Sequence, residues 1–133
     1  TIFKGEVVAT DYKNNVFKSE RAEYNKDLKF LQSKGETTIL TSEGYQLTGT
    51  NIIFDNKNKY IKSNEKATLK DLEKNNIYLE NFEYSTENNF FKSTGKIKII
   101  DSKENSYNFS QLYIDEKKRE IIGADIKAFL KRY

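Results

Sequence analysis

The chain has 133 residues, enough for one domain with a moderate core, and its 23 Lys and Arg against 20 Asp and Glu leave a formal charge of +3 with the two signs interspersed. It contains no cysteine, which excludes disulfides and thiolate metal sites, and no histidine, which removes the commonest zinc ligand and the commonest general base. No apolar run approaches the ~20 residues of a membrane-spanning helix, and no signal-peptide pattern opens the sequence.

The first alternating run, Phe3, Gly5, Val7 and Ala9, stands thirty residues before Ser33, Gly35, Thr37 and Ile39. That interval governs everything after it. Segments beginning at Tyr24, Phe54, Tyr84 and Ile114 superpose without a gap: seven residues on stand Leu31, Ile61, Phe91 and Ile121. Nine on stand Ser33, Ser63, Ser93 and Gly123, and fifteen on Ile39, Leu69, Ile99 and Phe129. Self-similarity at a fixed period of about 20 to 50 residues marks a repeat architecture. The sequence opens partway through one unit and about four follow, which predicts a piece excised from a longer protein.

Within a unit, Leu31, Ser33, Gly35, Thr37 and Ile39 alternate with Gln32, Lys34 and Glu36, and Phe91, Ser93, Gly95, Ile97 and Ile99 alternate with Lys92, Thr94, Lys96 and Lys98. A period of two predicts half-buried strands. A second run follows in each unit: Leu47, Gly49, Ile52, Phe54; then Ile77, Leu79, Phe82, Tyr84; then Tyr107, Phe109, Leu112, Ile114. The step of three in its middle predicts a bulge or corner. Polar turns at 25–27, 55–59, 86–89 and 115–118 punctuate the runs, so each unit reads as two strands and two turns. Helix propensity at 65–74 and 124–133 is overruled by register with the strand copies, although the second segment is able to curl at the chain end.

Stacked two-strand units form an elongated all-β body with one continuous apolar stripe. Such a stripe is ordinarily a core. Small residues between the bulky ones, Ser33 with Gly35 and Ser93 with Gly95, leave two readings open, a channel or a close approach of two sheets.

The phrases F-K-G-E-V at 3–7, S-K-G-E-T at 33–37 and L-T-G-T-N-I-I-F-D at 47–55 resemble the repeated strand signatures of the OstA-like family, and the similarity extends over essentially the whole chain. The resemblance implies a single domain over residues 1–133, an elongated antiparallel β-jellyroll or β-taco of about four 30-residue two-strand repeats. It further implies a periplasmic, non-enzymatic and cofactor-free conduit of a Gram-negative bacterium that carries lipopolysaccharide toward the outer membrane. Lipid A acyl chains would lie in an apolar trough of Leu31, Ile39, Leu47, Ile52, Phe54, Ile61, Leu69, Ile77, Leu79, Phe82, Tyr84, Phe91, Ile97, Ile99, Phe109 and Leu112. Implied partners are a like-folded bridge protein, joined head to tail through open strand edges, and an outer-membrane barrel with its lipoprotein plug. The barrel itself is not in this sequence, so membrane insertion is not expected of it. Lys34, Lys62, Lys92 and Lys96 are candidates to meet phosphates or acidic sugars, with ordinary surface lysines as the plain alternative.

Other functions fit less well. Acid pairs such as Glu80 with Glu83 or Asp115 with Glu116 would suit glycoside hydrolysis, but a catalytic pair should break the repeat at one special place, and the acids here sit mostly in turns. A parallel β-helix would run in shorter coils, and a closed fatty-acid-binding barrel carries no strict thirty-residue repeat. Single-stranded nucleic acid is not expected as a partner, because the aromatics, 14 % of the chain, follow the apolar parity instead of a basic face. A structural or partner-binding β module with a filled core remains the alternative to the conduit.

Overall fold

The computed structural model describes residues 2–124 and 127–129. Fourteen strands and no helix occur among them: β1 (Ile2–Thr10), β2 (Val16–Asn25), β3 (Phe30–Ser33), β4 (Glu36–Leu40), β5 (Gln46–Thr50), β6 (Ile53–Asp55), β7 (Tyr60–Ser63), β8 (Ala67–Lys70), β9 (Asn76–Leu79), β10 (Phe82–Ser85), β11 (Phe90–Ile100), β12 (Ser106–Asp115), β13 (Glu120–Ala124) and β14 (Lys127–Phe129). All pairings are antiparallel and join the strands into one sheet. The expected alternation is therefore realised as strand. The helix-prone segment at 65–74 contains β8, and β14 lies in the second such segment, whose residues 125–126 and 130–133 lie outside those described.

Most of the expected strands are broken near the middle, so that β3 and β4, β5 and β6, β7 and β8, and β9 and β10 are successive halves of one run. The corner expected between Gly49 and Ile52 and between Leu79 and Phe82 is present; between Phe109 and Leu112 β12 stays continuous, while its register against β11 shifts between Thr94 and Ile97. At each break the ladder changes partner. β2 pairs with β4 through Val16–Ser19 and with β3 through Ala22–Asn25. β11 pairs with β10 at its start and with β9 at its end. The breaks line up as a crease between two half-sheets that fold onto each other and share one core, with Phe17 of one half against Phe54 of the other at 5.5 Å between ring centroids.

Two glycines depart from the expected parity at this crease. Gly35 and Gly95 do not face inward with Ser33 and Ser93; both are exposed and take φ of +89° and +100°, the left-handed backbone that glycine adopts without a Cβ clash. They turn the corner.

The turns also repeat in register. A left-handed residue stands at Asn14, Lys29, Gly44, Lys59, Lys74, Asn89, Glu104 and Arg119, each fifteen residues after the last. One row of turns, at 11–15, 71–75 and 101–105, is stapled by an Asp whose Oδ1 accepts the N–H of the residues two and four further on, while the Asn at the fourth position donates its side-chain amide to Oδ2. The second unit departs from the pattern: Thr41 and Tyr45 occupy the staple positions.

Candidate functional site

The sixteen residues expected to line the interior come together. All but Leu31 and Phe109 are buried, and those two are half-buried against the same cluster. Ile39, Leu47, Leu69, Ile77 and Ile99 descend one half-sheet, facing Phe54, Ile61, Tyr84, Phe91 and Leu112 of the other, and Phe82 stacks on Phe91 at 5.8 Å. The interior is lined end to end by side chains that touch one another.

Five further core residues were not among those expected: Phe17, Ala22, Tyr45, Ala67 and Ile114. Register points to four of them, since Phe17 and Ala22 stand thirty residues before Leu47 and Ile52, Ala67 thirty before Ile97, and Ile114 thirty after Tyr84. Only Tyr45 lies in a turn, where its replacement of the staple Asn is the signal.

The small residues of the stripe close the crease instead of leaving a channel. Ser33 is fully buried and its Oγ accepts the Ile52 N–H at 2.8 Å, where β5 gives way to β6. Ser63 Oγ donates to the Thr50 carbonyl at 3.1 Å, and Ser93 Oγ donates to the Asn81 carbonyl. At each corner a serine thus satisfies backbone that the broken ladder leaves unpaired.

Opposite the crease the two rows of turns meet along a polar seam. Lys13 Nζ donates to the Glu87 carbonyl and to Asn89 Oδ1, Tyr12 and Thr86 share a hydroxyl contact at 3.5 Å, and Asn89 Nδ2 reaches Ser42 Oγ at 3.5 Å. Its buried carboxylate is that of Glu116, 2 % exposed, whose Oε1 accepts the Thr41 hydroxyl at 2.7 Å while the Tyr84 hydroxyl also donates to it. Burial pushes the Glu116 carboxyl up to about 7, against the lowering effect of those two hydrogen bonds, and the nearby Glu43 adds to the rise. Burial, and then the Glu116 charge, raise the hydroxyls of Tyr84 and Tyr45.

The acid pairs do not form a hydrolytic site. Asp115 caps its own turn through the Lys118 N–H, while Glu116 faces the seam, and Glu83 pairs with Lys92 at 3.5 Å. Of the four candidate lysines, Lys92 is held by that ion pair and Lys62 lies 4.7 Å from the centre of the Tyr60 ring. Lys34 borders a polar concavity of about 1000 Å³ on the outer side of the crease, together with Arg21, Lys18 and Glu36. No group of three or more acidic residues among those described is placed to hold a metal ion.

No protein-family profile matches this chain, and no curated protein matches it in sequence. Among solved structures it is similar to LptH from Pseudomonas aeruginosa, described as the LptA-homologous periplasmic component of the conserved lipopolysaccharide transport device. The two share a TM-score of 0.66 at 15 % identity, over 97 % of this chain and 96 % of that one. The likeness establishes a common β-jellyroll fold.

Proposed function

We propose that this domain is a non-enzymatic lipid conduit of the lipopolysaccharide-transport type, periplasmic in location, that holds acyl chains along its interior while the sugars stay in water. The observation that carries the reading is the stripe itself: sixteen apolar positions in thirty-residue register, continuous across both half-sheets and bounded by a polar seam. The full-length likeness to LptH supports it. Within that class, the Lys- and Asn-rich run over 76–129 is most similar to the amino-terminal periplasmic domain of the outer-membrane assembly protein LptD, with the bridge protein LptA second, and we assign the chain to the LptD-like group. Its partners are then lipopolysaccharide, a like-folded bridge protein paired at a strand edge, and the outer-membrane barrel with its lipoprotein plug.

The physics suits transport. Burial without directional bonds stabilises a chain by roughly 0.8 kcal/mol per methylene at any register, so sliding meets low barriers. Equal affinity along the stripe biases no direction, and net movement is imposed from outside the domain. In the closed form the lining residues face one another, and a chain enters by parting the half-sheets. The crease is crossed by continuous backbone, whereas the seam is held by side-chain and turn contacts, which makes the seam the side that opens.

A filled-core module that binds partners by its edges is the second reading, favoured by the complete burial of Ile39, Leu47, Ile61 and Ile77. Photocrosslinking separates the two, with a benzophenone side chain at Phe54, Phe82 or Ile99 and, as outward controls, at Lys70 or Lys92, in cells making lipopolysaccharide. Lipopolysaccharide adducts at the interior positions alone are expected. Folded protein without interior adducts would leave the filled-core module.

A further inference from the structure

One position of the repeat changes character inside the seam. Lys26 and Asn56 are exposed there, and thirty residues later Thr86 is buried against the Tyr12 hydroxyl, one neutral group against another. The next copy is Glu116, buried to the same degree but carrying an acid. Opposite it the Asp of the other stapled turns is replaced by Thr41, so a hydroxyl meets the carboxyl where two acids would otherwise stand.

The surrounding elements leave the charge of Glu116 unbalanced. From the turn between β4 and β5, Thr41 donates to it, Glu43 faces it with a like charge and Tyr45 stands close enough to feel it. Tyr84 of β10 donates its hydroxyl and accepts in turn from Asn89, whose backbone carbonyl takes the Glu116 N–H. Asp71 and Glu73, beside the turn between β8 and β9, add negative charge at Tyr45. The nearby cations are engaged elsewhere: Lys13 is bonded to Glu87 and Asn89, and Arg119 of the same turn as Glu116 acts on Tyr45. No described cation forms an ion pair with Glu116. Two hydroxyl donors do not replace the hydration that a carboxylate loses on burial.

This acid stands where the two half-sheets meet through side chains alone, while continuous strands such as β2 and β11 cross the crease behind it as a hinge. We propose that Glu116 makes the seam a pH-operated latch: with its proton it lets the turn at 41–45 close against the turns at 86–89 and 115–119, and on losing that proton to water it drives this layer apart. Parting breaks the contacts of Thr41 with Glu116 and of Ser42 with Asn89 and admits water to the charge. The neighbouring layer, where Lys13 binds Glu87 and Asn89, holds no buried acid and stays shut. Closed, the carboxyl stands at about 7, and once hydrated it returns toward 4.5. Opening therefore releases a proton between those values, so the open fraction rises with pH across that window and levels off above it. The latch rests on the seam being the side that parts, and not on what the interior carries.

The chain has no cysteine, so a single introduced thiol reports its own exposure. Leu47→Cys places it in the core at the seam end of β5, Ala67→Cys at the crease end of β8, and Lys70→Cys on the exposed surface. Alkylation of the intact chain by iodoacetamide is followed between pH 5 and 8.5, and rates at the buried sites are divided by that at Lys70→Cys to correct for ionisation of the thiol. The relative rate at Leu47→Cys should climb by up to about tenfold per pH unit and level off above about 7. Ile114→Cys, at the seam end of β12, should repeat that profile, and Glu116→Gln should flatten both. Local opening exposes little surface, so about 1 M urea should leave the Leu47→Cys rate nearly unchanged while speeding Ala67→Cys, which only global unfolding exposes, severalfold. Flat profiles at both seam sites, a rise that persists in Glu116→Gln, or equal urea sensitivity at Leu47→Cys and Ala67→Cys would each overturn the latch.

Discussion

The hydroxyl of Thr41 donates a 2.7 Å hydrogen bond to the buried carboxylate of Glu116, seventy-five residues away, and so ties the two rows of turns across the seam. The contact brings a carboxylate to a place where water does not compensate its charge. Tyr84 donates to the same group, and Glu43 faces it with a like charge.

This fixes the pH dependence. The Glu116 carboxyl stands at about 7 in the folded chain against 4.5 as its ordinary value. A carboxyl whose folded value is raised holds its proton while the unfolded chain releases it. Stability is therefore fullest below about 4.5 and falls as pH rises toward 7. Each tenfold difference in proton affinity between the folded and unfolded chain is worth about 1.4 kcal/mol, so the loss across that window is on the order of 3 kcal/mol. Urea denaturation of the wild type and of Glu116→Gln between pH 4.5 and 8 should show the slope in the first and its flattening in the second, since a neutral amide still accepts from Thr41. Parallel slopes in the two proteins would show that Glu116 is not the group responsible.

Ser33→Ala removes the acceptor of the Ile52 N–H at a fully buried corner. An unsatisfied buried donor costs about 1–3 kcal/mol. Ser85→Ala is the comparison, because Ser85 Oγ meets the Asn88 N–H at 3.3 Å in an exposed turn, and its loss should stay within about 0.5 kcal/mol. Equal effects in thermal melts would mean that the crease does not depend on its serines.

Lys74 sits at φ +65° in the turn between β8 and β9, exposed, where a side chain in the left-handed region costs about 1–2 kcal/mol. Lys74→Gly relieves that strain and adds unfolded-state entropy of opposite sign, leaving a net gain of about 0.5–1 kcal/mol. The same change at Lys70, on the exposed face of β8, should instead destabilise by a similar amount. Paired melting curves of the two variants check the sign of each.

Strand placement and the inward stripe were legible because both depend on local alternation multiplied by register: Ile39, Leu69 and Ile99 identify one another whatever surrounds them. The crease was only half legible. A step of three announced the corner before Ile52 and Phe82, but on the other runs Gly35 and Gly95 kept a simple alternation in letters while the backbone turned left-handed beneath them. The seam was not legible as a contact, because Thr41 and Glu116 lie in turns that meet only after the half-sheets close. What the sequence did carry was the anomaly at one end of it, a Thr and a Tyr where the other turns of that row hold Asp and Asn.

That anomaly supports one more test. By repeat statistics alone, Thr41→Asp restores the staple residue found at Asp11, Asp71 and Asp101 and should stabilise the turn. The structure predicts the reverse. A carboxylate at position 41 would stand within hydrogen-bond reach of Glu116, where two adjacent acids cannot both ionise, and Tyr45 offers it a backbone N–H but no side-chain amide. Thr41→Asp should cost at least about 2 kcal/mol at pH 8 and less at pH 5, where one proton is shared. Adding Glu116→Gln supplies an amide donor to the new carboxylate and should recover most of the loss, a coupling that a double-mutant cycle measures directly. A stabilised Thr41→Asp, or a double variant no better than the single one, would mean that the Thr41 and Glu116 contact does not hold the seam.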